Sequence, residues 1–294
     1  MEGRVKKQGR FRLWVQVLFT ALVNGYAIGF AKGQIFQGES KAICVPVLNC
    51  YSCPGALGAC PIGALQAVLG NRGNQMAFYV LGTLMLFGVA FGRLICGFLC
   101  PFGLVQDLLH KIPLPKWELP RAVDRPLRGL KYVMLVGLVI LAPMFIVNEF
   151  GIGAPAFCKW ICPAGTLGGA FPLLSMNDSL RAGLGMLFSW KVAVLVVIVV
   201  ASVVMARPFC KYLCPLGAFY GLFNRFSLYQ LAIDHRACVD CKKCEQVCPM
   251  QVEVTKNINS TECIRCGRCK AACPQDAIHS GFTVTELQAK NAKE

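Results

Sequence analysis

Four stretches of this chain, residues 13–30, 76–95, 130–147 and 184–206, are too long and too apolar to be strands or half-buried surface helices. Each approaches the roughly 20 apolar residues that cross a hydrocarbon core. A bilayer admits only helices or closed barrels, because every backbone polar group must be satisfied internally. The expected fold is therefore an α-helical multi-pass membrane domain with about four transmembrane helices. The runs are interrupted by Asn24, Arg93, Pro143 and Lys191. Arg93 and Lys191 stand near run ends, where a long basic side chain can snorkel to the headgroups. Neighbouring helices can satisfy the carbonyl that Pro143 frees. Only 15% of residues are charged, against roughly 25% in soluble domains.

Charge then orients the runs. The net charge of +15 would suggest nucleic acid in a soluble protein. Here the excess falls beside the apolar runs, so its partner is the lipid membrane and no nucleic acid is expected. Arg4, Lys6, Lys7, Arg10 and Arg12 precede the first run, and Lys111, Lys116, Arg121, Arg125, Arg128 and Lys131 lie between the second and third. The remaining loops carry only Lys32, Lys41, Arg72, Lys159 and Arg181. The positive-inside rule puts both termini in the cytoplasm of a bacterial or archaeal cell, with the chain in its cytoplasmic (inner) membrane. No convincing small-residue cleavage site follows the first run, so it reads as an anchor. Residues 113–126, with four prolines, read as an irregular linker.

Eighteen cysteines are too many for packing, and nearly all fall in tight groups. Cys238, Cys241, Cys244 and Cys248-Pro249 spell C-x2-C-x2-C-x3-C-P, and Cys263, Cys266, Cys269 and Cys273-Pro274 repeat it 25 residues later. In this bacterial ferredoxin run three cysteines hold one cluster and the fourth holds the other. Two 4Fe-4S clusters are expected, one on Cys238, Cys241, Cys244 and Cys273, the other on Cys263, Cys266, Cys269 and Cys248. Structural zinc prefers paired arms of two ligands. The chain divides into a membrane domain (1–228), a small α+β two-cluster ferredoxin domain (229–281) and a tail (282–294).

Three more motifs, Cys96-GFL-Cys100-Pro, Cys158-KWI-Cys162-Pro and Cys210-KYL-Cys214-Pro, lie near membrane boundaries. Proline suits the first turn of a helix, so each second cysteine should sit at a helix N-terminus, where the dipole favours thiolate. Cys60, Cys100, Cys162 and Cys214 also share Cys-Pro-x-Gly, which suggests short half-helices dipping inward. The topology sorts the sulfurs by side. Cys96, Cys100, Cys210 and Cys214 form a candidate inner metal site. Cys158 and Cys162 face the loop holding Cys44, Cys50, Cys53 and Cys60, a candidate outer site whose ligand subset the spacing leaves open. Free thiols inside and disulfides outside are the alternatives. One or two iron–sulfur centres beyond the ferredoxin pair are thus on offer.

Apolar spans, Cys-x3-Cys-Pro motifs at their cytoplasmic ends and a terminal double ferredoxin resemble the NapH/MauN family of ferredoxin-type membrane proteins, related to the membrane part of NosR. The likeness covers nearly all of the chain after about Arg12. It implies electron movement between the quinol pool or cytoplasmic donors and partners across the membrane, within a hetero-complex. The family's motif cysteines map onto Cys96, Cys100, Cys210 and Cys214 and onto the eight ferredoxin cysteines. The Cys44–Cys60 group and the motif at Cys158 are departures from it.

His110, His235 and His279 are the only histidines. None lies in an apolar run, and no C-x-x-C-H occurs, so covalent haem is excluded. No dinucleotide fingerprint or nucleophilic triad is present. An electron-transfer subunit is the leading expectation over a stand-alone enzyme, followed by a maturation or reductive-repair factor for an extracytoplasmic metalloenzyme, and then a redox sensor.

Overall fold

The computed structural model describes residues 2–71, 77–147 and 153–282. The expected tail from 283 onward, Arg72 and Met76 lie outside them. The described residues are mostly helical. The longest helices are Glu2–Val23, Ala77–Phe91, Ala122–Phe145 and Met186–Val204. Two of these, Ala122–Phe145 and Met186–Val204, are long and apolar enough to cross a membrane. Their outward faces are apolar: Phe145 and Met186 are 76% and 89% exposed, which in water would be an unstable surface.

The helix boundaries differ from the hydropathy runs for physical reasons. The first helix begins at Glu2, well before the apolar stretch, so the basic N-terminal segment is no tail. Its first turns lie against the ferredoxin part, where Arg4 pairs with Asp276 at 2.8 Å and Gln8 donates to the Cys266 carbonyl at 3.2 Å. The same helix stops at Val23, and Asn24 folds back to bond the Thr20 carbonyl. A second short helix, Ala27–Lys32, follows. The third helix absorbs Pro143 in its last turn, after a widened π-type stretch over Met134–Leu141. The proline-rich linker is also partly ordered. Arg121–Leu127 is helical, and only the part before Pro120 is irregular.

All four Cys-Pro-x-Gly segments start helices, at Pro61–Gly70, Pro101–Leu109, Pro163–Gly165 and Pro215–Phe223, with the cysteine at the N-cap and proline in the first turn. Missing proline N–H groups cost nothing there. These short helices and the long ones enclose one apolar core that contains cysteines of both groups, Cys44, Cys60 and Cys162 with Cys96, Cys100, Cys210 and Cys214. The C-terminal part is a small α+β unit. Strand β1 (Gln230–Ile233) pairs antiparallel with β2 (Ile278–Gly281), Gln230 opposite Gly281. Two one-turn helices, Lys243–Gln246 and Arg268–Ala272, lie between them in sequence.

Candidate iron–sulfur sites

The eight C-terminal cysteines line two cavities, sorted crosswise. One is lined by Cys238, Cys241, Cys244 and Cys273, the other by Cys248, Cys263, Cys266 and Cys269. The backbone repeats with the motif. Asp240, Lys242 and Gln251 have φ of 46°, 55° and 51°, and 25 residues on Arg265, Gly267 and Asp276 have 52°, 75° and 48°. Left-handed backbone at non-glycine residues is unfavourable and persists where surroundings impose it. Here it curls the loop so that amides face inward. The Arg265 N–H points to Cys263 Sγ at 3.4 Å and the Val252 N–H to Cys248 Sγ at 3.5 Å.

These donor sets fit a cubane better than zinc. Among the described residues no three His, Cys, Asp or Glu side chains are grouped as a single metal ion would need. Four thiols instead surround a space, with amide donors for the sulfurs. Burial pushes the Cys263 thiol up to about 12 and the Cys244 thiol up to about 11. A bare thiolate is disfavoured there, so a metal must displace the proton.

One cavity faces the membrane part and the other faces out. Asn224 donates to the Ser260 and Cys263 carbonyls, both at 2.8 Å. Arg265 reaches the Phe91 carbonyl at 3.0 Å. Gly97 leaves no room for a side chain, since a Cβ there would lie 2.3 Å from the Ile264 carbonyl oxygen. On the far cavity, Cys241 is exposed.

Cys96, Cys100, Cys210 and Cys214 come together in the core, with Cys214 within electrostatic reach of the other three. The Gly217 N–H points to Cys214 Sγ at 3.4 Å. Two arginines bracket this quartet reciprocally. Arg93, three residues before Cys96, donates to the Cys210 carbonyl at 3.0 Å; Arg207, three before Cys210, donates to the Cys96 carbonyl at 2.7 Å. Each guanidinium passes the Cys-Pro-x-Gly glycine of the opposite motif. Ideal Cβ positions at Gly217 and Gly103 fall 3.3 Å from Arg93 and Arg207 respectively. That close approach is a reason for glycine at both places.

Arg93 was expected to snorkel to the headgroups, yet it is fully buried. Its second partners explain this. It donates to the Thr261 carbonyl at 2.7 Å and pairs with Glu262 at 3.1 Å, so the ferredoxin part caps it. Lys131 pairs with the same carboxylate. Burial alone would push Glu262 up, but Arg93 and Lys131 outweigh it and hold the carboxyl below its usual range. Asp107 plays the matching part for Arg207, at 2.9 Å, and also binds Arg12 at 2.9 Å. Hydropathy could not find these contacts. The signal was the shared Arg-x2-Cys-x3-Cys-Pro-x-Gly at 93–103 and 207–217.

The outer sulfurs also converge. Cys162 lies within electrostatic reach of Cys158, Cys50 and Cys60. A Cβ at Gly165 would lie 3.6 Å from Cys50 Sγ and 3.9 Å from Cys162 Sγ. Among the outer sulfurs Cys53 lies within electrostatic reach of Cys50, with its Sγ 3.5 Å from the Asn24 side-chain oxygen, and Cys44 packs beside Cys60. No disulfide joins any of the described cysteines.

A mostly helical core with grouped thiols and a terminal two-cavity cysteine unit defines an iron–sulfur protein of membrane type. The 4Fe-4S binding domain family matches residues 74–120, 130–175 and 186–229, and a second 4Fe-4S binding domain family matches 256–279. The uncharacterized protein MJ0750 of Methanocaldococcus jannaschii is 30% identical over 220 residues, covering 73% of this chain and 80% of the relative. The methylamine utilization ferredoxin-type protein MauN of Paracoccus denitrificans is 33% identical over 162 residues, 54% of this chain and 48% of MauN. The ferredoxin-type protein NapH of Haemophilus influenzae is 28% identical over 170 residues, 56% of this chain and 50% of NapH. The match thus spans about half the length of the MauN and NapH relatives. No solved structure matches the chain. The chain belongs to the ferredoxin-type membrane proteins that include MauN and NapH.

Proposed function

We propose that this protein is a membrane electron-transfer subunit that relays electrons between a cytoplasmic partner at the exposed ferredoxin cavity and an acceptor or donor in the membrane. The observation that carries the reading is the serial placement of thiol groups. The exposed set Cys238, Cys241, Cys244 and Cys273 is followed by the set Cys248, Cys263, Cys266 and Cys269, which abuts the membrane part through Asn224 and Gly97. The quartet Cys96, Cys100, Cys210 and Cys214 then lies in the core. Each set would hold one 4Fe-4S cluster, which accepts and returns single electrons. The chain's own part is to fix the thiols, turn amides toward the sulfurs and keep water from the inner sets.

Four spans are the topology we favour, using the apolar part of Glu2–Val23 and the helices Ala77–Phe91, Ala122–Phe145 and Met186–Val204. Outward-facing Leu18, Leu22, Phe78, Leu86, Phe145 and Val197 on these helices support it. The N-terminal turns and the ferredoxin part share one side through Arg4 and Asp276, and the positive-inside rule makes that side cytoplasmic.

Quinol is the membrane partner this arrangement suits. A cleft of about 410 Å³ opens between the two parts, lined by His110, Lys116, Trp117, Lys211 and Arg268 and adjoining Cys248-Pro249. It lies at the end of Met186–Val204, where lipid-soluble ring systems arrive, and its size suits a small-molecule site. Anaerobic stopped-flow mixing with a short-chain quinol tests the reading. Cluster bleaching that Trp117→Ala slows at least tenfold, with iron content unchanged, is expected. Equal rates in both proteins exclude the cleft as the entry point. The maturation-factor reading gains no separate support from the geometry.

A further inference from the structure

The inner quartet has a device that recurs, atom for atom, on the other side of the core. Gln106 stands six residues after Cys100. Its side-chain N–H donates to Cys210 Sγ at 3.1 Å, and its oxygen accepts from the Phe209 backbone N–H at 3.2 Å. Gln66 stands six residues after Cys60. Its N–H donates to Cys158 Sγ at 3.2 Å, and its oxygen accepts from the Phe157 backbone N–H at 3.0 Å. Both glutamines are fully buried, as are both phenylalanines. The backbone N–H fixes which amide atom is oxygen, and so aims the N–H at sulfur in both copies. Cys60, Gln66, Phe157, Cys158 and Cys162 therefore correspond to Cys100, Gln106, Phe209, Cys210 and Cys214.

One member of the inner quartet has no direct counterpart. Cys96 is four residues before Cys100, and the residue four before Cys60 is Ala56. The gap is filled from elsewhere. Cys50 Sγ lies 3.6 Å from a Cβ at Gly165, the glycine of the Cys162 motif, and 3.4 Å from one at Gly169. Gly63, the glycine of the Cys60 motif, faces Cys158 Sγ at 3.9 Å. Where the inner motif glycines admit guanidinium groups, the outer ones admit thiols.

We propose that Cys50, Cys60, Cys158 and Cys162 form a second intramembrane iron–sulfur site, built on the plan of the inner one, with Gln66 and Gln106 as equivalent positioning residues that hold one thiolate in each. Cys44 and Cys53 are then not ligands. The proposal rests on the reading of the inner quartet as a cluster site but fails separately from it.

The test uses full-length protein purified anaerobically, with iron and acid-labile sulfide counted per chain and EPR-monitored redox titration. Cys60→Ala and Cys50→Ala should each remove about four irons, while Cys44→Ala and Cys53→Ala remove none. Retained ferredoxin signals show that the variants fold. Gln66→Glu, which keeps shape but replaces the N–H donor with negative charge, should keep the iron and lower the midpoint of one centre. Gln106→Glu should lower the midpoint of a different centre, and a purely structural glutamine would move neither. If Cys96→Ala loses about four irons and Cys60→Ala loses none, the outer site falls and the inner one stands. If Cys96→Ala loses none, the inner reading falls. Gln66→Glu and Gln106→Glu shifting the same centre, or none, removes the positioning role.

Discussion

The inner and outer thiol quartets share a plan of helix-capping Cys-Pro, motif glycine and glutamine, but they differ in charge. Around the inner quartet, Arg12, Arg93, Lys131 and Arg207 are buried and share two carboxylates, Asp107 and Glu262. Of these four cations, Arg93 and Arg207 lie within electrostatic reach of the thiols, and each shares its carboxylate with a second cation. Among the described residues, no arginine takes that place at the outer quartet. Pro155 stands three residues before Cys158, where the inner motifs have arginine, and the cations within reach are lysines, Lys191 near Cys158 and the buried Lys41 near Cys50, which donates to the Ala56 carbonyl at 2.8 Å. Buried charge without a counter-charge is costly. An anionic tetrathiolate cluster, as proposed for the inner side, would supply one, and the same surplus would make it easier to reduce than a cluster held by the outer quartet. Similar ligand geometry with unequal charge would thus separate the two proposed centres in potential.

Arg93 offers the sharpest way to break the comparison. Arg93→Met leaves Glu262 paired with Lys131 and removes both side-chain contacts of residue 93 to the ferredoxin part, those to Thr261 and Glu262. Breaking one partner of a buried pair costs about 3–5 kcal/mol. We expect a lowered thermal midpoint in detergent and faster protease release of the C-terminal part. Lys41→Met, on the outer side, loses a charged hydrogen bond worth about 1.5–3 kcal/mol and a contact with the Tyr51 ring, and should leave protease release unchanged. Equal losses in the two variants would mean that charge does not distinguish the quartets.

Arg207→Gln comes next. Its effect should be a fall in the midpoint of one centre, read by EPR titration, with the midpoints of the two ferredoxin cavities unmoved. An unchanged inner midpoint would remove the electrostatic account while leaving the ligands in place.

The smallest effect is steric. Gly103→Ala puts a methyl 3.3 Å from the Arg207 guanidinium, and a forced shift of this kind costs about 1–3 kcal/mol. Gly82→Ala, where a Cβ meets nothing within 4 Å, is the matched control and should be neutral in the same melts.

Much of this was legible in the sequence, for reasons tied to residue type. The ferredoxin motifs give their crosswise sets because a short cysteine loop has few ways to surround a cavity, and Cys-Pro marks a helix start because proline can stand there without a lost bond. The rest depends on partners far apart in the chain. Arg93 meets Glu262 and Thr261, Gln66 meets Cys158, and Arg4 meets Asp276. No period or local motif announces such pairs. Arg93 at the end of an apolar run reads as a snorkelling residue until a cap for it is known. The N-terminal cations mark a side of the membrane by charge alone, and nothing in their spacing tells that their helix lies along the ferredoxin part.

Thiols within the membrane part are proposed to hold a cluster in series with the ferredoxin pair. Iron and sulfide counting on anaerobically purified full-length protein, beside its Cys96→Ala/Cys214→Ala variant, tests this most directly. About four fewer irons and sulfides per chain are expected in the variant, with the low-potential ferredoxin EPR signal intact. Identical counts in the two proteins would contradict it.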